Sequence, residues 1–296
     1  MPTQPEITNM ALFCDFENIA LGVRDAKYAS FDIRRVLERL LLKGSIVVKK
    51  AYCDWDRYKE FKAQMHEASF ELIEIPHVRQ SGKNSADIRM VVDALDLCYT
   101  KSHVDAFVII SGDSDFSPLV SKLRENNKYV IGIGVKDSTS DLLAANCDEF
   151  IFYDDLVREQ KQRRKAAEAK VQAKAAPAKT AVKEAGKENG EQAKAAAQKR
   201  KGKEEERNDD ERRQQVLDLA VETVEALIDE RGGDEKIWGS MVKQTMKRRR
   251  PGFNEAAYGY RSFRALIEDA QKRHLLVLVP DEKTGQYTVR LPAGEE

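Results

Sequence analysis

The chain has no run approaching the about 18 consecutive apolar residues of a membrane span, so no transmembrane segment is expected. Residues 1–9 lack both the basic start and the apolar core of a secretory leader, so no signal peptide is expected. Cysteine is scarce. Cys14, Cys53, Cys98 and Cys147 are far apart, with no Cys-x-x-Cys pair and no histidine at zinc-ligand spacing. Four buried, reduced thiols in a cytoplasmic protein are expected. Net charge is also lacking. Fifty basic side chains balance fifty acidic ones, which excludes a binder of nucleic acid that is cationic over its whole length.

The neutral total hides three unequal segments. Residues 1–157 carry 19 basic and 25 acidic groups, residues 158–212 carry 17 and 11, and residues 213–296 carry 14 of each. With 296 residues, 42% of them hydrophobic, two domains are expected. Residues 158–210 are rich in Ala, Lys, Glu and Gln and nearly free of large apolar side chains, so they read as a charged, flexible linker.

Upstream, apolar runs at 10–16, 45–52, 70–76, 106–112, 129–135 and 149–153 alternate with helical periodicity. Ile33, Val36, Leu37, Leu40 and Leu41 mark one helix, with Ser30 as its expected N-cap. Tyr58, Phe61, Met65 and Ala68 mark a second. A third covers 86–98, with Ile88, Val91, Val92 and Leu95 expected to face inward. A fourth opens with Ser117 and Pro118. This alternation predicts an α/β domain with a mostly parallel sheet, whose ligand site lies beyond the carboxyl ends of the strands. Downstream, helices over 210–231, 240–249 and 254–273 and a hairpin over 275–291 predict a winged helix-turn-helix.

Carboxylates fall at the predicted strand ends. Asp15 ends the first strand, Asp113 and Asp115 follow the fourth, and Asp87 opens a helix. A lone Asp at such a place is commonly a turn former or helix cap. Several together repel, by about 4 kcal/mol per pair at 4 Å near a protein surface, unless a cation offsets them. Mg²⁺ or Mn²⁺ suits such oxygen donors, and four aspartates balance up to two divalent ions. Two such ions can stabilise the attacking and leaving oxygens of a phosphodiester. His66, His77, His103 and His274 lie away from these strand ends, so metal-activated water is the expected nucleophile. Asn18 is read equally as a local turn former or a site residue. A haloacid-dehalogenase-type site needs a second Asp where Glu17 stands, and a toprim site needs Glu where Asp15 stands.

The segments DFEN (15–18), KNSADIRMVVDAL (83–95) and SGDSDF (111–116) resemble the NYN family of PIN-like nucleases over residues 8–157. The resemblance implies a PIN-like fold and metal-dependent RNA cleavage. It assigns metal binding to Asp15, Asp87, Asp113 and Asp115, assisted by Asn18, with Lys83 matching the middle motif. Asn84 stands where the family often has Gly.

Between Lys236 and Arg273 there are ten basic and three acidic residues, a footprint for a polyanion. Lys247, Arg248, Arg249 and Arg250 adjoin a helix end, and Tyr258 and Arg261 lie among aromatic and basic neighbours suited to stacking and phosphate pairing. Tyr260, Phe263 and Ile267 also fit a plain helix core. Trp238-Gly239, Pro251-x-Phe253 and the 258–266 run resemble the OST-HTH, or LOTUS, domain over 211–292. That family implies a small winged helix that binds RNA in some members and protein partners, including RNA helicases, in others; the RNA expected here is single-stranded. The expectation is a cytoplasmic, metal-dependent ribonuclease. The alternatives are a non-catalytic RNA-binding adaptor and a DNA-directed nuclease.

Overall fold

The computed structural model describes residues 7–75, 85–161, 192–231, 235–281 and 286–292; for 192–209 it describes the backbone alone. Lys83 and Asn84 lie outside the described residues, as do most of the expected linker and the centre of the hairpin turn. The chain divides into two units, Met1–Ala176 and Pro177–Glu296.

The first unit is built on β1 (Asn9–Asp15), β2 (Ser45–Cys53), β3 (Glu71–Glu74), β4 (Ala106–Ile110), β5 (Tyr129–Gly134) and β6 (Glu149–Phe152). They form one sheet in the order β3-β2-β1-β4-β5-β6, and every neighbouring pair is parallel. The apolar runs at β1 and β4 are continuous because both strands are covered on both faces. Met10, Leu12 and Cys14 enter one core, and Ala11 and Phe13 enter the other. The first core is closed by α1 (Phe16–Asp25), α2 (Ile33–Lys43), α3 (Lys59–Glu67) and α7 (153–161). The second is closed by α4 (Ser85–Thr100), α5 (Ser117–Glu125) and α6 (Asp141–Asn146).

Three local expectations need correction. The cap of α2 is Asp32, whose carboxylate accepts from the Arg34 backbone N–H at 3.2 Å; Ser30 lies two residues further out. At α5 the cap position is Phe116, and Ser117 is already helical, with its hydroxyl buried and unpaired. In α4 the buried residues are Met90, Ala94, Leu97 and Cys98, whereas Ile88 and Val92 face solvent. Helix roll explains this. Asp93 accepts from the Tyr52 hydroxyl at 2.9 Å and from Arg89 Nε at 2.9 Å, which turns Asp93 toward β2 and carries Ile88 and Val92 outward.

In the second unit α8 (Gln192–Arg231) extends back into the charged stretch read as linker, whose Ala, Lys, Glu and Gln favour helix. It is followed by α9 (Gly239–Arg249). The single helix expected over 254–273 is two elements. A 3₁₀ turn over Glu255–Tyr258 ends at Gly259, whose φ of 79° is left-handed, and α10 (Phe263–Lys272) starts afresh with Ser262 as N-cap. β7 (Val277–Pro280) and β8 (Tyr287–Arg290) form an antiparallel hairpin, and Trp238 bridges Thr288 of β8. Val216, Ala220, Val224, Met246, Leu266, Ile267 and Val289 belong to its separate core. Among the described residues no helix is long and apolar enough to cross a membrane.

Candidate functional site

The strand order places the switch point of the sheet between β1 and β4. From β1 the chain winds outward through β2 and β3, then returns along α4 to the other side of β1. The carboxyl ends of β1 and β4 therefore bound a crevice where helices leave on opposite faces, the usual ligand position of such sheets. Asp15 is the last residue of β1, and Ser111 to Asp115 follow β4 directly.

Asp15 is both a cap and the centre of a buried polar cluster. One carboxylate oxygen accepts from the Asn18 backbone N–H at 3.3 Å, which starts α1. The other accepts from the Ser111 hydroxyl at 3.0 Å, across the gap between β1 and β4. Ser111 Oγ in turn accepts from the Asp113 backbone N–H at 3.2 Å. The Asn18 side chain accepts from the Gly112 backbone N–H at 2.8 Å. Asn18 thus ties α1 to the turn after β4. Asp113 caps a 3₁₀ turn through the Asp115 backbone N–H at 2.9 Å, so the capping expectation holds for it as well.

The electrostatics show which carboxylates lie together. Asp15 is 7% exposed. Burial, then repulsion from Asp87, pushes its carboxyl up to about 7; the Asn18 and Ser111 hydrogen bonds act against this and Asp113 adds to it. Asp87, half-buried in the first turn of α4, is raised to about 6 by burial and then by Asp113, Asp115 and Glu17. Asp15, Asp87, Asp113 and Asp115 therefore share one electrostatic neighbourhood at the carboxyl edge. Among the described residues, however, no three or more Asp, Glu, His or Cys side chains converge closely enough to hold a metal ion. Repulsion among four like charges opposes such convergence until a cation offsets it.

The donor chemistry is compatible with a hard cation. Every candidate is a carboxylate, and Mg²⁺ commonly needs only one or two of these, with water and phosphate oxygens completing its shell. Cys14, beside Asp15, belongs to the core, and burial raises its thiol pKa, so it is no competing soft ligand.

Three parts of the site were less legible in sequence. Ser111 was visible only as a motif letter, yet it joins Asp15 to Asp113. Gly112 is required by packing, because a Cβ there would meet the Ser138 carbonyl oxygen at 2.4 Å. The loop after β5 is anchored on the same glycine, since Ser140 N–H donates to Gly112 O at 2.9 Å. Glu17, at the rim, pairs with Arg57 at 3.2 Å. Asp93 is engaged with Tyr52, Lys50 and Arg89, a structural role.

In the second unit the expected RNA-binding residues divide by exposure. Lys247, Arg250 and Arg261 are exposed, whereas Arg248, Arg249 and Tyr258 are half-buried. Arg249 donates to the Thr223 hydroxyl of α8 at 3.3 Å, which draws it toward the core. Tyr258 packs against Phe253 with ring centroids 6.2 Å apart. Tyr260 is buried and donates its hydroxyl to Asp269 at 2.6 Å, and Phe263 and Ile267 are core residues. Among these aromatics only Tyr258 keeps a partly open surface.

Comparison with known proteins addresses the first unit. Residues 9–159 match the NYN domain. The chain is 25% identical over 154 residues to Meiosis regulator and mRNA stability factor 1 of Xenopus tropicalis; the match covers 52% of this chain and 9% of that relative's length. A crystal structure of a protein of unknown function from Vibrio parahaemolyticus is 26% identical, with a TM-score of 0.45, covering 52% of this chain and 98% of that one. With the matched segment occupying more than half of its length, the chain belongs to the NYN domain family, whose PIN-like members are typically nucleases.

Proposed function

We propose that the protein is a metal-dependent ribonuclease whose site is the acidic crevice between β1 and β4, with the second unit binding or targeting RNA. The observation that carries this reading is Asp15. It is a buried carboxylate at the switch point, held from both sides and kept near neutral pKa by its burial and by neighbouring Asp87. Buried carboxylates with perturbed pKa values concentrate at functional sites. The family match supports an RNA-related, nuclease-like activity.

Asp15 and Asp87 would hold Mg²⁺ or Mn²⁺, with Asp113 and Asp115 completing the charge balance for up to two ions. When bound, such an ion supplies Lewis acidity toward a phosphodiester and acidifies water. The chain's own contribution is orientation. Ser111 and the Asn18 N–H fix both oxygens of Asp15, and the Asn18 amide holds the Gly112 turn that aims Asp113. Within the second unit we assign RNA contact first to the exposed Lys247, Arg250 and Arg261, with Tyr258 available for stacking and Arg248 and Arg249 in support. An OST-HTH-like role fits the three helices, the hairpin and the Trp238–Thr288 bridge. Four free cysteines, three of them buried, fit the cytoplasm.

The test incubates the purified protein with labelled single-stranded RNA, with and without Mg²⁺ or Mn²⁺, beside Asp113→Asn. Asn preserves the capping geometry, so the variant should fold and lose cleavage. Divalent-dependent cleavage abolished by the substitution is the expected result. A second reading, an RNA-binding adaptor that recruits a protein such as a helicase, is favoured by the lack of convergent metal ligands among the described residues. RNA binding without cleavage under any metal condition would establish it.

A further inference from the structure

Helix α4 exposes an apolar stripe on the face opposite its packed side. Ile88, Val92 and Tyr99 are 63%, 55% and 64% exposed, and half-buried Leu95 lies between them. The spacing of four, three and four residues aligns these side chains on one helical face. Met90, Ala94, Leu97 and Cys98 form the buried face of α4, and half-buried Val91 and Leu95 pack against the same core along its border. The roll set by Asp93 and Tyr52 holds the second stripe outward. A row of large apolar side chains exposed in this way marks an interaction surface.

The charges beside the stripe identify its occupant. Arg89 and Asp96, both exposed, flank it on the same side, seven residues apart. In an antiparallel helix pair a flank meets its own counterpart, so a twofold axis brings Arg89 of one copy to Asp96 of the other. The register that sets Ile88 against Tyr99 of the second copy also sets Val92 against Leu95 and keeps those charges within reach. Arg89 already bonds Asp93 at 2.9 Å, and its five donors leave others for a second carboxylate. The stripe is thus complementary to itself in both shape class and charge. A polyanion would meet apolar side chains and Asp96 on this surface.

We infer that the protein self-associates through an antiparallel α4–α4 contact, a twofold dimer of the nuclease unit. The contact is one helix wide, which places it at the small end of specific interfaces and makes the dimer concentration-dependent.

The full chain is tested by sedimentation equilibrium over a wide concentration range, with no RNA or divalent ion, so the outcome is independent of the nuclease reading. Reversible dimerisation is expected. Val92→Glu should weaken it by more than about tenfold, because a buried unpaired carboxylate is costly at an interface. Arg89→Glu should weaken it as well, and Arg89→Glu combined with Asp96→Arg should restore it. All of these positions are exposed; an unchanged circular dichroism melt confirms folding of Val92→Glu, while Arg89→Glu, which also removes the Arg89–Asp93 pair, is judged by its charge-swap rescue. A monomer at every concentration, a dimer indifferent to Val92→Glu, or a charge swap that fails to restore association overturns the inference.

Discussion

At the residue scale, Asp15 combines a helix-capping bond with an electrostatic burden. Its carboxyl, near 3.8 in a free chain, is raised to about 7 in the folded protein. The folded state therefore holds a proton that the unfolded chain has released between those values. The sign follows from linkage: stability from this group is complete below about pH 4 and is lost as pH rises through about 7. In EDTA the protein should lose up to about 4 kcal/mol of stability from this group over that window. Asp15→Asn keeps an acceptor for the Asn18 N–H and removes the charge. Its denaturant midpoint at pH 8 in EDTA should exceed that of the parent, and the difference should vanish near pH 4. Equal midpoints at pH 8 would show that burial and repulsion do not burden this carboxylate. The sequence made Asp15, Asp87, Asp113 and Asp115 legible because each closes or follows an element boundary. It could not show Ser111 as their link, because that hydrogen bond spans 96 residues and depends on which strands become neighbours.

At the element scale, period and caps read well where one apolar face exists and poorly where two compete. α4 has apolar side chains on both faces, and periodicity alone cannot say which is inside. The polar contacts of Asp93 with Tyr52 and Lys50 of β2 settle the roll. The helix expected over 254–273 failed for a different reason. Gly259 and Ser262 end one turn and cap the next, a break hidden within a run of aromatic and basic residues. Close packing also gives two glycines of the second unit opposite tolerances. A Cβ on Gly239 would meet the Tyr287 ring at 2.3 Å, whereas one on Gly252 would meet nothing within 4 Å. Gly239→Ala should cost about 1–3 kcal/mol by overpacking. Gly252→Ala should be neutral or stabilising by up to about 1 kcal/mol. Thermal melts of the two variants check this. Equal melts would mean that Tyr287 moves aside freely.

At the scale of the whole molecule, the division of charge suggests a division of work. The unit bearing the aspartates is net acidic, and the basic excess lies in the stretch after it and between Lys236 and Arg273. RNA capture is therefore expected to depend on salt through the second unit. Lys247 and Arg250 are the exposed members of the basic cluster at the end of α9. Each phosphate contact on a single strand contributes about −0.7 to the log–log salt slope. Changing both residues to Gln should flatten that slope by about 1.4 and leave kcat unaltered. A KCl titration of RNA affinity checks the first, and saturating-substrate turnover the second. An unchanged slope would move the second unit from RNA capture to protein docking.

The pairing of β1 with β4 has a further consequence, for the way the crevice opens. Asp15 lies near the start of the chain, and its partner Ser111 follows the fourth strand. No local collapse can bring them together. The intervening chain carries β2, β3 and α4 and returns to the far side of β1. Contacts so distant in sequence close a large loop, and that closure costs entropy which only the assembled seam offsets. We therefore expect the acidic crevice to exist only while the β1–β4 seam is closed, so hydrogen exchange of the Gly112 and Asp113 amides should follow the opening of that seam rather than local fraying of α1.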